Sequence, residues 1–186
     1  MRAVSRTRDL EARLERAEQQ VQLFQRVSRL MARHLELNEV LREVVGSIRD
    51  FLQSDSCLIY LEEGGELVLL ASSEPGDKNV GRLHLRLSEG LTGWVARERR
   101  ILAISREAYS DPRFKFFKDL PQDRFEAFLS VPIISQNKVM GVINVQHREP
   151  RTHSGSDIEV LSTLGEQVGC LLALSARYAH HSVVSA

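Results

Sequence analysis

The chain of 186 residues is long enough for one domain with extra length for extended helices, and its 42% hydrophobic content suffices for an apolar core. Lysine and arginine total 25, as do aspartate and glutamate, so no net charge attracts nucleic acid or an anionic membrane, and neither is expected as a direct partner. No apolar run approaches the roughly 20 residues of a membrane span and no signal peptide follows Met1, which predicts a cytoplasmic protein.

A long helix is predicted for residues 1–35, because this segment lacks glycine and proline and is dense in arginine and glutamate. Its seam of heptad spacing consists of Leu10, Leu14, Ala17, Val21, Phe24, Ser28, Met31 and Leu35. Such a helix either docks on its own domain or forms a parallel or antiparallel coiled coil between two chains. We expect the second arrangement, a homodimer through Leu10, Leu14, Val21, Phe24, Met31 and the C-terminal helix.

A second helix with a broad apolar stripe is predicted from about Asn38 to Leu52. Because the connection at His34–Leu37 is short, we expect the two helices to be nearly continuous. Three strands follow, at Cys57–Glu62, Leu67–Ala71 and Leu83–Leu87.

The middle of the chain predicts a short helix, a short strand and a long irregular segment. The helix covers Glu89–Arg99, although Gly90 and Gly93 each disfavour a helix by roughly 1 kcal/mol relative to alanine. Such glycines are tolerable where the backbone lies close to the sheet or to a ligand. Ile101–Ile104 reads as a strand, and Ser105–Arg124 is long enough to suggest a functional lid.

A central hairpin is predicted from two apolar runs, Ala127–Ile134 and Val139–Val145, which flank a short polar turn. Near-continuous apolar character indicates strands that are buried on both faces of a sheet. Pro132 and Gly141 indicate a bulge or a close backbone approach in mid-sheet.

The last helix is predicted to begin at a capping box, Ser156–Glu159, and to run to about Tyr178, with residues 179–186 as a flexible tail. The order of elements predicts an α/β (α+β) fold with a six-stranded, mostly antiparallel sheet. The flanking helices would cover one face, and the lid and the short helix would cover the other.

No catalytic or metal-binding motif is present, so we predict neither an enzyme nor a cofactor nor a metal site. The six histidines are dispersed, and no HExxH, CxxC or paired-carboxylate signature occurs. Both cysteines, Cys57 and Cys170, lie in apolar surroundings and are expected to be buried free thiols.

Several motifs arrive in an order typical of one family. They are Glu89-Gly-Leu-Thr-Gly-Trp-Val-Ala96, Asp111-Pro-Arg-Phe114, Phe128-Leu-Ser-Val-Pro-Ile-Ile134 and the run from Asn137 to Arg151. Together they resemble a GAF domain, a small-molecule sensor module, over roughly Leu35 to Tyr178. The likeness extends to GAF domains of bacterial regulators such as the nitrogen-type enzyme I of the phosphotransferase system, antiterminators and sensor kinases. It implies a signalling helix at 1–35 followed by a GAF domain at 36–178.

The resemblance implies a ligand pocket between the short helix, the lid and the sheet. Its candidate residues are Trp94, Asp111, Phe114, Phe117, Phe128 and Ser130. The start of the Glu89–Arg99 helix would offer N–H groups to an anionic or carbonyl ligand, and Trp94 could stack on a flat ring. The alternative is that Trp94 and the phenylalanines simply belong to the core.

The sequence lacks the signatures of three specialised kinds of GAF domain. The cyclic-nucleotide signature is not reproduced in order or spacing, and a bilin would need a cysteine near the lid. Free methionine sulfoxide reductase needs reactive cysteines around the pocket, whereas Cys57 and Cys170 fall in the first strand and the last helix.

We therefore expect a dimeric regulatory sensor domain that passes a small-molecule or partner signal to an output domain. That output would lie on another chain or outside this sequence. The alternative is a dimerisation scaffold of the same fold that binds no ligand.

Overall fold

The structure is a computed structural model that describes residues 2–33, 36–115 and 125–184, with the backbone alone at 2–5 and 176–184. Within those residues, four α-helices pack around one six-stranded sheet. The helices are α1 (Arg2–Met31), α2 (Leu37–Leu52), α3 (Gly90–Glu98) and α4 (Gly155–Val184). The strands are β1 (Ser56–Glu63), β2 (Glu66–Ser72), β3 (His84–Arg86), β4 (Leu102–Ile104), β5 (Ala127–Ser135) and β6 (Lys138–His147).

The sheet has the strand order β3-β2-β1-β6-β5-β4, and every neighbouring pair is antiparallel. The β5–β6 hairpin turns at Gln136 and Asn137, both with positive φ. Its register shifts between Ile133 and Ile134, directly after Pro132. A side chain at Gly141 would collide with the backbone of β1. The expected sheet, hairpin, bulge and close approach are therefore confirmed.

Alternation along the strands gives the sheet two apolar faces, as the strand patterns predict. In β1, Cys57 and Ile59 point toward a core shared with α1, α2 and α4, whereas Tyr60 belongs to a second core on the opposite side. We call the first side the helix face. The second side, which α3 covers, is the α3 face.

Helix α1 folds back along α2, so the expectation of two nearly continuous helices is wrong. The Arg16 guanidinium lies 4.1 Å from the ring centroid of Phe51, at the far end of α2. The physical reason is a second apolar stripe on α1, Leu23, Val27 and Leu30, whose side chains are 0–7% exposed in the helix-face core. Burying this stripe requires the helices to reverse direction.

The predicted seam of α1 occupies a different side of the helix. Leu10, Leu14 and Val21 are 53, 62 and 54% exposed, whereas Phe24 and Met31 pack half-buried against the chain's own core. Leu35, the last residue of the predicted seam, lies outside the described residues. Helix α1 therefore docks on its own domain along one stripe and leaves the upper part of the seam uncovered.

The capping box of helix α4 lies two residues before the predicted one, so that the helix begins at Gly155. Ser154 and Asp157 form the box, because the Asp157 N–H donates to Ser154 Oγ (3.1 Å) and the Ser154 N–H donates to Asp157 Oδ2 (2.9 Å). The helix continues to Val184, past the expected end near Tyr178 and into the predicted tail. No glycine or proline follows Gly169, so the sequence contains no helix stop there.

By length and apolar composition, Gly155–Ser175 could cross a membrane, which the sequence analysis did not anticipate. In the fold this segment is a core helix. It packs on β5 and β6, and Leu161, Leu164 and Val168 are fully buried.

The N-terminus of α4 also anchors α1. Arg16 Nη2 donates to Asp157 Oδ1 (2.7 Å), and Gln20 Nε2 donates to Ser156 Oγ (2.5 Å). Burial opposes the charge on Asp157, but hydrogen bonds from Ser154 and the nearby Arg16 outweigh it and lower the pKa of this carboxyl. One carboxylate therefore caps α4 and holds α1.

Two buried histidines lie beside this joint. His147 and His153 are 4% and 9% exposed, with ring centroids 5.3 Å apart. Nε2 of His147 and both ring nitrogens of His153 have no hydrogen-bond partner in the part of the chain that the structure describes. Burial, with Arg151 as a secondary cause, lowers the pKa of His147 to about 4, and burial also lowers that of His153. Both rings are neutral at pH 7.

Candidate ligand-binding face

The α3 face is lined by apolar side chains that surround a small polar centre. Its buried apolar residues are Tyr60, Leu67, Leu69, Leu85, Leu91, Val95, Ala96, Leu102, Ala108, Phe128 and Val142. Trp94 and Phe114 pack half-buried against them. An apolar surface with a few convergent polar groups is the usual composition of a small-molecule site.

Helix α3 lies against this face because its glycines allow close contact. A Cβ atom at Gly93 would lie 2.6 Å from the carbonyl oxygen of Arg86. Gly90 starts the helix with a φ of +65°, a conformation that L side chains rarely adopt. The expectation of a close approach to the sheet is therefore met at Gly93, whereas Gly90 serves the turn into the helix.

A buried hydrogen-bond chain joins the sheet to α3. The Ser130 hydroxyl donates to Asn144 Oδ1 (2.6 Å), and Asn144 Nδ2 donates to Thr92 Oγ1 (2.7 Å). The three side chains are 0, 1 and 7% exposed. We call them the polar triad. Buried polar groups of this kind are costly unless paired, so the triad fixes the position of α3 over β5 and β6.

The triad keeps further hydrogen-bonding capacity. An amide has two N–H donors and a hydroxyl has two lone pairs, so Asn144, Ser130 and Thr92 each retain positions beyond their mutual bonds. Of the triad, sequence reasoning selected Ser130 and missed Thr92 and Asn144. The signal was present, since Asn144 interrupts an otherwise apolar strand and Thr92 lies between apolar residues of α3.

Trp94 is covered on one side by the segment that follows β4. The Arg113 guanidinium lies 4.5 Å from the centroid of the Trp94 ring, and Arg113 Nη2 donates to Asp111 Oδ2 (2.7 Å). The hydrogen bond from Arg113 lowers the pKa of Asp111. Asp111 also accepts the Arg113 backbone N–H (2.9 Å), which forms an Asx turn. A ligand that stacks on this side of Trp94 must therefore displace an arginine.

The start of α3 already carries a negative charge. Lys115 Nζ donates to Glu89 Oε1 (2.7 Å), and the Arg86 N–H donates to Glu89 Oε2 (3.1 Å). These hydrogen bonds, that from Lys115 first, lower the pKa of Glu89. The Glu89 side chain does not bond to the N–H groups of α3. Its negative charge at the N-cap position nevertheless makes this end of α3 favour a neutral or carbonyl-bearing ligand over an anion.

Two of the three candidate phenylalanines lie among the described residues. Phe128 is 3% exposed and Phe114 is half-buried, and both pack on the α3 face. Phe117 lies outside the described residues. The structure thus brings together Trp94, Phe114, Phe128 and Ser130 on one face, with Asp111 at its edge through Arg113.

Neither cysteine lies on the α3 face. Cys57 belongs to the helix-face core, where burial raises the pKa of its thiol. Cys170 is exposed on α4, so the expectation that both thiols are buried is wrong for this one. It lies on the outward side of α4, one residue from Gly169, which faces β5. Among the described residues, no group of three or more His, Cys, Asp or Glu side chains could hold a metal ion.

A family model described as a GAF domain matches residues 34–173, which is most of the chain. The chain belongs to the GAF domain family. Within that family, it is 33% identical over 141 residues to the "Phosphoenolpyruvate-dependent phosphotransferase system" protein of Escherichia coli (strain K12), an alignment that covers 75% of this chain and 19% of that protein. It is 26% identical over 150 residues to the Nif-specific regulatory protein of Azospirillum lipoferum, covering 77% and 24%. The chain thus spans about a fifth to a quarter of the length of these relatives.

Solved structures share the GAF fold. The GAF domain of an Acinetobacter phosphoenolpyruvate-protein phosphotransferase superposes with a TM-score of 0.77 at 28% identity, covering 87% of this chain and 97% of that one. The corresponding domain from Coxiella burnetii gives 0.82 at 23% identity, covering 88% and 98%. An enzyme shares the fold as well: free methionine-R-sulfoxide reductase from Neisseria meningitidis gives 0.71 at 14% identity, covering 86% and 91%. The GAF fold therefore carries both regulatory and catalytic proteins.

Proposed function

We propose that this GAF domain is a sensor that binds a small molecule on its α3 face and passes the signal through its terminal helices. The polar triad carries the proposal, because it places hydrogen-bonding groups between α3 and the central hairpin. The regulatory proteins among its relatives support the same class of function. The output domain would lie on another chain or outside this sequence.

The route of the signal follows from the alternation of β5 and β6. Ser130 and Asn144 face α3, whereas their neighbours Leu129, Val131 and Ile143 face α4. A ligand that shifts the hairpin from one side thus acts directly on the packing of α4 on the other. The coupling cannot exceed the difference in the ligand's affinity for the two arrangements.

Dimerisation through α1 and α4 is the second part of the proposal. Leu10, Leu14 and Val21 on α1 and Leu174 on α4 are more than half exposed, although they are large and apolar. A second copy of the chain that covered the α1 side chains would remove this apolar surface from water. In this proposal Phe24 and Met31 contribute only their uncovered parts.

A scaffold without a ligand is the alternative, and one observation favours it. Arg113 covers Trp94, and the triad residues bond to one another, so side chains of the domain itself occupy the α3 face.

Catalysis of the methionine sulfoxide reductase type is not proposed, because Cys57 belongs to the other face and Cys170 to the outside of α4. A cytoplasmic location is proposed with the sensor role.

Native mass spectrometry of protein purified from cells, compared with its denatured mass, tests the proposal. We expect a dimer that carries a small additional mass, and the same mass on a Thr163→Val control, whose hydroxyl lies on α4 and bonds only to Glu159 in the described structure. We expect Thr92→Val to lose that mass, because it removes a triad hydroxyl at nearly constant volume. A wild-type dimer with no adduct, unchanged by Thr92→Val, would favour the scaffold.

A further inference from the structure

The exposed seam of α1 has a charge pattern along both edges. In heptad notation, Leu10 and Ala17 are d positions, and Leu14 and Val21 are a positions. The exposed g positions beside this stretch are Arg6 and Arg13, and the exposed e positions are Glu11 and Glu18. One edge is therefore basic and the other is acidic.

The four charged side chains on these two edges have no ion-pair partner in the part of the chain that the structure describes. Arg16 differs, because it binds Asp157. They are free to pair with another molecule.

The orientation of a second helix decides whether these edges attract or repel. In a parallel, in-register pair, each g residue faces the e residue five positions further along its partner, so Arg6 meets Glu11 and Arg13 meets Glu18. In an antiparallel pair, g faces g and e faces e, which sets arginine against arginine and glutamate against glutamate. Only the parallel arrangement is complementary to itself.

We propose that two copies of this chain pair through α1 as a parallel, in-register coiled coil over the stretch from about Arg6 to Val21. The proposal rests on the dimer of the proposed function and adds its orientation and register. Docking of α1 does not cover the seam. Arg16 and Gln20 within the stretch, and Leu23, Val27 and Leu30 below it, dock through c and g positions, whereas the a and d side chains Leu10, Leu14 and Val21 remain exposed. The two GAF domains then lie side by side with the same polarity.

Charge reversal in analytical ultracentrifugation of the full chain tests the orientation. Arg13→Glu turns two attractive pairs of a parallel dimer into repulsive ones, and we expect the dimer dissociation constant to rise about tenfold. Adding Glu18→Arg should restore it. Arg8→Glu, the same charge change at an exposed b position, is the matched control and should leave it unchanged.

The outcomes separate orientation from dimerisation. A dimer that is indifferent to Arg13→Glu would overturn the parallel orientation while leaving the dimer in place. A wild-type chain that remains monomeric at every concentration would overturn the dimer, and the orientation with it.

Disulfide cross-linking gives an independent measurement in a Cys170→Ser background, which removes the exposed native thiol. Leu10→Cys and Ala17→Cys, each alone, should link to themselves under mild oxidation, whereas Ala12→Cys on the outer f position should not. An antiparallel pair has one crossing point, and the two sites lie about 10 Å apart along the helix, so it cannot self-link at both. Cross-linking at one site only would contradict the proposal.

Discussion

The two faces of the sheet differ in what holds them together. On the helix face, α1, α2 and α4 bury a continuous apolar core, and polar contacts occur at its margin, as at Asp157. On the α3 face, a polar triad lies inside the core and two ion pairs, at Asp111 and Glu89, lie at its edge. Because alternate residues of the same strands supply both faces, one hairpin contributes to the apolar core on one side and to the proposed ligand site on the other.

The largest expected effect comes from breaking the triad at its centre. Asn144→Leu leaves the buried hydroxyls of Ser130 and Thr92 without their partner, and we expect the free energy of unfolding to fall by about 3 kcal/mol. Urea denaturation measures it. The triple variant Ser130→Ala, Asn144→Leu, Thr92→Val removes every partner and should recover most of the loss. A triple variant no more stable than Asn144→Leu would show that packing, and not unpaired polar groups, sets the cost.

Lowering the pH should weaken the helix face while leaving the α3 face charged. The pKa of His147 is about 4 in the folded chain against 6.5 for an exposed histidine, so the unfolded state binds the proton first. Stability is therefore full above pH 6.5 and is lost as the pH falls toward 4, by about 2 kcal/mol at pH 5 from this one group. His153, Arg151, Asp55 and Asp157 face the ring and share in its electrostatics.

Unfolding by urea at pH 7.5 and pH 5 measures this loss. Replacing His147 with glutamine should flatten the pH dependence, whereas the same change at exposed His84 should not. Because the pKa values of Asp111 and Glu89 are lowered, their ion pairs remain at pH 5. A wild-type chain equally stable at both pH values would contradict the buried, neutral state of the histidines.

The smallest effect is expected at the edge of the α3 face. Arg113→Ala removes a side chain that is 34% exposed, and we expect it to change stability by less than about 1 kcal/mol. The same variant uncovers one side of Trp94, the one tryptophan in the chain, so its fluorescence emission should shift to the red. Arg106→Ala, at an exposed position nearby in sequence, is the control. An unshifted spectrum would mean that Arg113 does not cover the ring in solution.

Local sequence patterns predicted the sheet well because each strand carries its own signal. The alternation of Leu83, Leu85 and Leu87 and the apolar runs around Gln136 and Asn137 do not depend on distant parts of the chain. The GAF resemblance, which rests on those same runs, was confirmed for the same reason.

The predictions that failed depend on contacts between distant residues. The heptad seam of α1 concealed the stripe Leu23, Val27 and Leu30, whose burial turns α1 back along α2. The capping box was displaced because Ser156 and Glu159 fit the same motif as Ser154 and Asp157, and only the fold selects between them. In the candidate site, the partners of Glu89 and Trp94 come from the segment after β4, which no short-range pattern connects to α3.

Asp157 gives the two terminal helices a common point of reference. Its two oxygens are divided between them, with Oδ2 bound by the Ser154 N–H at the start of α4 and Oδ1 bound by Arg16 of α1. A rotation of α4 about its own axis would carry this carboxylate sideways and pull Arg16 with it. Together with the neighbouring contact of Gln20 with Ser156, this carboxylate links any movement of α4 to a movement of α1.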